Sequence, residues 1–156
     1  MNKLLIALSL ALPLGAWATP PAAGQAMPPV AVKDQHERDW RIAPDTQLVL
    51  FAAGRTASNL AMAVLGAQSK GFLATRHAVY LADMSKMPGF VTRTFALPSL
   101  REQPFAVGVV LDDKLLADWP RQDDAVTLIR LKDGQVAGVD YAKTEAQLRG
   151  ALGIAP

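Results

Sequence analysis

Three groups of side chains in this sequence have types that could do chemistry. The first is the run Gly54-Arg55-Thr56-Ala57-Ser58-Asn59, which lies between an apolar stretch of strand length and a helical pattern. Free amides at a helix start, with Arg55, Thr56, Ser58 and Asn59 beside them, suit a carboxylate or phosphate. A simpler reading stands next to it, in which Thr56 caps the helix and Arg55 pairs with a nearby acid. The second group is Met84 and Met87 in one loop, with His77 upstream. Thioether ligands suit Cu(I), yet both methionines also fit as packing residues around a loop. The third is Ser58, His77 and Asp83, the residue types of a hydrolytic triad without a Gly-x-Ser-x-Gly elbow. His36, set among charged residues, reads as a solvated side chain.

What the chain lacks limits these options. It contains no cysteine, which excludes thiol redox catalysis, cysteine nucleophiles and thiolate zinc sites. The formal charge of +2 comes from interspersed basic and acidic residues, and no Lys/Arg cluster has the density of a phosphate-binding face, so nucleic acid is not an expected partner.

The start of the chain reads as an export signal. Lys3 precedes an apolar run, Leu4 to Leu12, broken only by Ser9, and Ala16-Trp17-Ala18 has the small-x-small pattern of a cleavage site. The run falls short of the roughly 20 residues that span a bilayer. We therefore expect residues 1–18 to be removed, giving an exported, periplasmic protein with no membrane span in its mature form. Residues 19–29, rich in Pro and Ala, suit an extended lead-in, and 30–156 suit one domain.

Elements that would position the candidate residues follow from the pattern. Val30–Val32 and Trp40–Ile42 around a charged turn suggest a strand-turn-strand flap. Leu48–Ala52 is continuously apolar, the form of a central strand covered on both faces. From Thr56, Ala57, Leu60, Ala61, Val64 and Leu65 fall at helical spacing. Ala78–Ala82 is a second strand. A helix from Pro88 would turn Phe90, Val91, Thr94 and Phe95 inward and stop at Pro98. Phe105–Leu111 is a third strand, and Lys114–Trp119 a short helix. Asp133-Gly134 joins two strand-like runs as a hairpin, and Thr144 with Gln147 opens a last helix.

Strand-helix-strand-helix-strand, then hairpin, then helix, resembles the thioredoxin-like order in its TlpA/peroxiredoxin form. More narrowly, Ala53-Gly54-Arg55-Thr56 and Met87-Pro88-Gly89 resemble motifs of the YtfJ family of periplasmic thioredoxin-like proteins. The implied fold is α/β, a central mostly parallel sheet with a C-terminal antiparallel hairpin and helices on both faces. In that superfamily the turn after the first central strand carries a redox Cys-x-x-Cys, and a cis-proline precedes the hairpin. The matching places here, Gly54–Asn59 and Asp124-Ala125-Val126, contain neither. The resemblance thus implies a scaffold kept without its reaction. The function expected is a non-catalytic periplasmic binding or adaptor protein without a cofactor, using Gly54, Arg55, Thr56, Ser58 and Asn59 with Ala125 and Val126 beside them. Its partner would be a periplasmic protein or a small ligand. The alternative is a copper-handling accessory using Met84, Met87 and His77.

Overall fold

Val49, Leu50, Phe51 and Ala52 have no solvent exposure, so the strand that carries them must be central to the sheet. The computed structural model describes residues 20–156, and the expected signal segment lies outside the described residues. The strands are β1 (Ala31–Asp34), β2 (Asp39–Arg41), β3 (Leu48–Ala53), β4 (Ala78–Asp83), β5 (Val107–Val110), β6 (Val126–Lys132) and β7 (Gln135–Ala142). They form one sheet in the order β2-β1-β5-β4-β3-β6-β7. Strands β3, β4 and β5 are parallel, whereas β1 and β6 join them antiparallel. The helices are α1 (Arg55–Leu65), α2 (Phe72–Thr75), α3 (Gly89–Val91), α4 (Leu97–Arg101) and α5 (Glu145–Ala151), with a π-helical segment Thr92–Ala96 joining α3 to α4.

The mixed α/β fold and its C-terminal hairpin are those expected, but only β3, β4 and β5 run parallel, and among the described residues the helices pack on one face of the sheet rather than both. Strands β3, β4 and β5 are laid down in one direction across the sheet, and right-handed crossovers then place both connecting helical segments on the same face. Accordingly Ala57, Ala61, Val64, Leu73, Leu100 and Leu148 share one core cluster with Leu50, Tyr80 and Val107. The opposite face carries Val49, Phe51, Leu81 and Ile129, and no helix of the described residues packs there. The return from β5 to β6 covers it instead, through Leu116 and Trp119. The short helix expected at Lys114–Trp119 is a succession of turns. Trp119 lies edge-on to Phe51, ring centroids 5.4 Å apart, and its indole N–H has no hydrogen-bond partner.

The lead-in also belongs to this face. Gly24 and Met27 donate to the carbonyls of Val136 and Gly134, and Val136 donates back to Gln25, so residues 24–27 pair with β7. Val30 then packs beside Trp119 in the second cluster before β1 begins.

Pro98 does not stop the helix before it. The Leu97 amide reaches back five residues to the Thr92 carbonyl, and the widened π turn opens the place where a proline ring would meet the carbonyl four residues earlier. The extra residue rotates the apolar face. Thr92 and Leu100 are buried, while Phe90 and Phe95, expected inside, are 66% and 61% exposed.

The hairpin and last helix follow their local signals. Asp133 and Gly134 both take positive φ, 51° and 78°, as a two-residue β-turn demands. Thr144 accepts from the Gln147 amide at 3.2 Å, and Gln147 Oε1 accepts from the Lys143 amide.

The flap is fastened by two polar residues. Gln35, 1% exposed, donates to the Leu100 and Phe105 carbonyls, accepts from the Val107 amide, and gives its own carbonyl to Arg101 Nε. Asp34 accepts from the His36 and Arg38 amides and from the Arg38 guanidinium at 3.0 Å. Burial alone raises its pKa, but these donors outweigh burial and hold it below the ordinary 3.8. A lowered carboxyl pKa stabilises the folded state above the unfolded value, and that contribution is lost as pH falls through the folded value. Replacing Asp34 by Asn should therefore lower the urea midpoint at pH 7, with the deficit shrinking as pH falls below 3.8. An unchanged deficit at acid pH would show that geometry, not charge, fastens this turn.

Candidate functional site

Register brings the two expected segments to one end of the sheet. Ala52 pairs with Val126 and Ala53 with Asp83, so the turn Gly54–Asn59, the loop after β4 and the residues leading into β6 adjoin at the C-terminal ends of the parallel strands. Gly54 takes φ 97°, a conformation that glycine adopts without strain, and swings the chain into α1. The helix starts at Arg55, so Thr56 lies inside its first turn. No side chain caps the helix and no acid occupies the first turn. Arg55 makes no ion pair among the described residues. The cap-and-pair reading of this turn is thus not realised: its first turn has no side-chain cap, and Arg55 has no ion-pair partner among the described residues.

Arg55, Thr56 and Asn59 are exposed, as are Asp123 and Asp124 ahead of β6. Ala125 and Val126, expected as part of the contact surface, are buried. Strand β6 begins at Val126, and its side chain turns into the core formed with α1. Asp124 enters this strand with φ 59°, and no cis peptide bond occurs among the described residues. Ser58 is half-buried beside the hydroxyl of Tyr80. Burial pushes that hydroxyl far above its ordinary value, with the Ser58 contact opposing weakly. Tyr80 therefore stays a neutral phenol.

The hydrolytic trio and the metal set both come apart. His77 precedes β4, and Asp83 and Met84 stand at its far end, a six-residue strand of about 20 Å. Ser58 and His77 share no bond; the His77 ring instead meets Asp45 at 3.2 Å. Met84 is buried and Met87 half-buried against the helical core cluster, which is the packing role. Among the described residues no group of three or more His, Cys, Asp or Glu side chains is placed to hold a metal.

One feature of this end was not legible from sequence. Phe90 and Phe95 stack edge to face, centroids 6.1 Å apart, on the helical segment that leaves the loop after β4. Leu111, 60% exposed, follows β5 at the same end. From Met84 to Arg101 the chain carries Lys86, Arg93 and Arg101 and no acid. The signal that could have revealed the patch is Pro98 inside a long apolar stretch, where a proline and a π turn together shift the buried face.

No protein-family model matches the chain, and no curated protein sequence matches it. Solved structures do. A candidate thioredoxin from Neisseria meningitidis is similar with a TM-score of 0.54 at 13% identity, over 83% of this chain and 91% of that one. A thiol:disulfide interchange protein from Bacteroides sp. gives 0.53 at 9% identity, over 86% and 93%. A peroxiredoxin-like protein from Aquifex aeolicus gives 0.52 at 12%, over 83% and 81%. At these identities the likeness is one of fold. The fold is thioredoxin-like, and this chain has no cysteine with which to perform thiol chemistry on it.

The end of the sheet is held in shape by Asp83. Its side chain, 7% exposed, accepts from the Ser85 amide and hydroxyl and from Arg121 Nη1 at 3.3 Å. Arg121 also donates to the Trp119 and Leu116 carbonyls and lies over the Phe51 ring. Arg121→Ala leaves a buried carboxylate without its cation, and with a third of the arginine exposed we expect a loss of about 2 kcal/mol in urea unfolding. A loss below about 0.5 kcal/mol would show that the clasp is a surface pair.

Proposed function

We propose that this chain is a non-catalytic binding or adaptor protein of the periplasm, whose contact surface is the C-terminal end of its thioredoxin-like sheet. The narrower family reading, a YtfJ-like protein, rests on the motifs around Gly54 and Pro88 and belongs to the same proposal. The observation that carries it is the composition of that end. The uncapped first turn of α1, with unpaired Arg55 and exposed Thr56 and Asn59, shares it with the Phe90–Phe95 pair and Leu111. Aromatic rings and arginine are enriched where proteins bind one another, and exposed apolar patches mark such places.

Tyr80 is a buried neutral phenol, and thiols are absent from the sequence. Exposed aromatic rings beside an arginine without an ion pair among the described residues favour a binding role for this surface. The partner is a periplasmic protein or a small ligand reaching the chain after export and removal of residues 1–18.

Mixing the tagged protein with periplasmic extract, alongside an Arg55→Ala, Asn59→Ala double variant and a Lys132→Ala control, tests this reading. A partner should be retained by the wild type and the control and reduced at least about tenfold with the double variant. Equal retention by all three, or retention by none, would remove the proposed surface.

A further inference from the structure

Phe90, Val91 and Phe95 stand out of one short helical stretch, and the two rings touch edge to face. Arg93, on the same stretch, turns back over Gly89, where a Cβ would meet its Nη1 at 3.3 Å. Its guanidinium therefore lies beside the residue that precedes Phe90. The aromatic pair and a cation thus belong to one small piece of surface.

The charges around this piece have two signs. From Met84 to Arg101 every charged residue is basic, and Lys86 and Arg93 are exposed. The turn after β5 is acidic at its start, with Asp112 and Asp113 exposed. The Met84 amide donates to the Val110 carbonyl at 2.9 Å, so the loop after β4 and the turn after β5 run side by side. None of these four side chains makes an ion pair among the described residues. Two opposite sets of charge lie at one end of the sheet without neutralising each other.

That arrangement selects among partners. An acidic peptide or an anionic membrane would be drawn to Lys86 and Arg93 and repelled by Asp112 and Asp113. A second copy of the chain, turned about a two-fold axis, offers each set its opposite while the apolar patch meets itself. We propose that the protein forms a two-fold dimer through this end, with the Phe90–Phe95 pairs of both copies at the centre and the cations of each copy against the acids of the other. An aromatic centre inside a charged rim is the usual build of an interface. The proposal rests on the reading of this end as a contact surface and names the partner. Because the apolar centre is one short helical stretch, the dimer is a weak one, with a Kd of about 10 to 100 µM.

Sedimentation equilibrium of the purified protein from about 1 µM to about 1 mM should show a single reversible monomer–dimer equilibrium in that range. Phe90→Ser with Phe95→Ser, both at exposed positions, should weaken the dimer at least about tenfold and leave the urea midpoint unchanged. Lys86→Glu with Arg93→Glu should weaken it at least about fivefold, and adding Asp112→Lys and Asp113→Lys should restore most of that loss, since the signs are then exchanged on both sides. A monomer at every concentration, a dimer indifferent to the two phenylalanines, or a charge reversal that the exchanged set fails to rescue would overturn the proposal. If the monomeric protein still retains a different protein from periplasmic extract through Arg55 and Asn59, only the choice of partner fails. If it retains none, the contact surface fails with it.

Discussion

Arg121 reaches over the helix-free face of the sheet to the carboxylate of Asp83, and the placement of the other parts depends on what that contact closes. Three parallel strands laid down in one direction commit their crossovers to a single face. The opposite face, with Val49, Phe51, Leu81 and Ile129, would be open to water unless chain without a helix covered it. Residues 111–125 and the lead-in do so. A segment of turns makes few internal hydrogen bonds, so it needs side-chain anchors: Trp119 edge-on to Phe51, and Arg121 bonded to Asp83 and to two carbonyls of its own segment. Because Asp83 also ends β4 and shapes the loop to Ser85, the same carboxylate joins the covered face to the end of the sheet that carries α1.

How much of this could be read from the residues depends on how local the causes are. The central strand was legible in Leu48–Ala52 because a strand buried on both faces has no polar alternation to hide it. The Asp133-Gly134 turn and the Thr144 cap were legible because each is set by bonds within four residues. The Gln35 bonds join residues 65 to 72 positions apart, and no local pattern announces them. The pairing of residues 24–27 with β7 uses backbone groups alone, so a Pro- and Ala-rich composition could not show it. The helix around Pro98 was misread because helical periodicity assumes a constant pitch. Register brings the two segments to one end of the sheet, yet Ala125 and Val126, expected at the surface, are buried.

Fold and reaction have separate causes here. The thioredoxin-like sheet needs only apolar strands, a parallel centre and an antiparallel hairpin, all of which a cysteine-free sequence supplies. Thiol chemistry needs side chains that this sequence does not contain. The end of the sheet around α1 carries exposed aromatic rings beside an uncapped helix.

The central claim is that the end of the sheet around α1 is a contact surface, and photo-crosslinking in living cells addresses it most directly. A photoreactive residue would replace Thr56 in one strain and Lys132, at the distant hairpin turn, in another. The account predicts a discrete, higher-mass adduct from position 56 upon irradiation and none from position 132. Adducts of equal yield from both positions, or from position 132 alone, would contradict it.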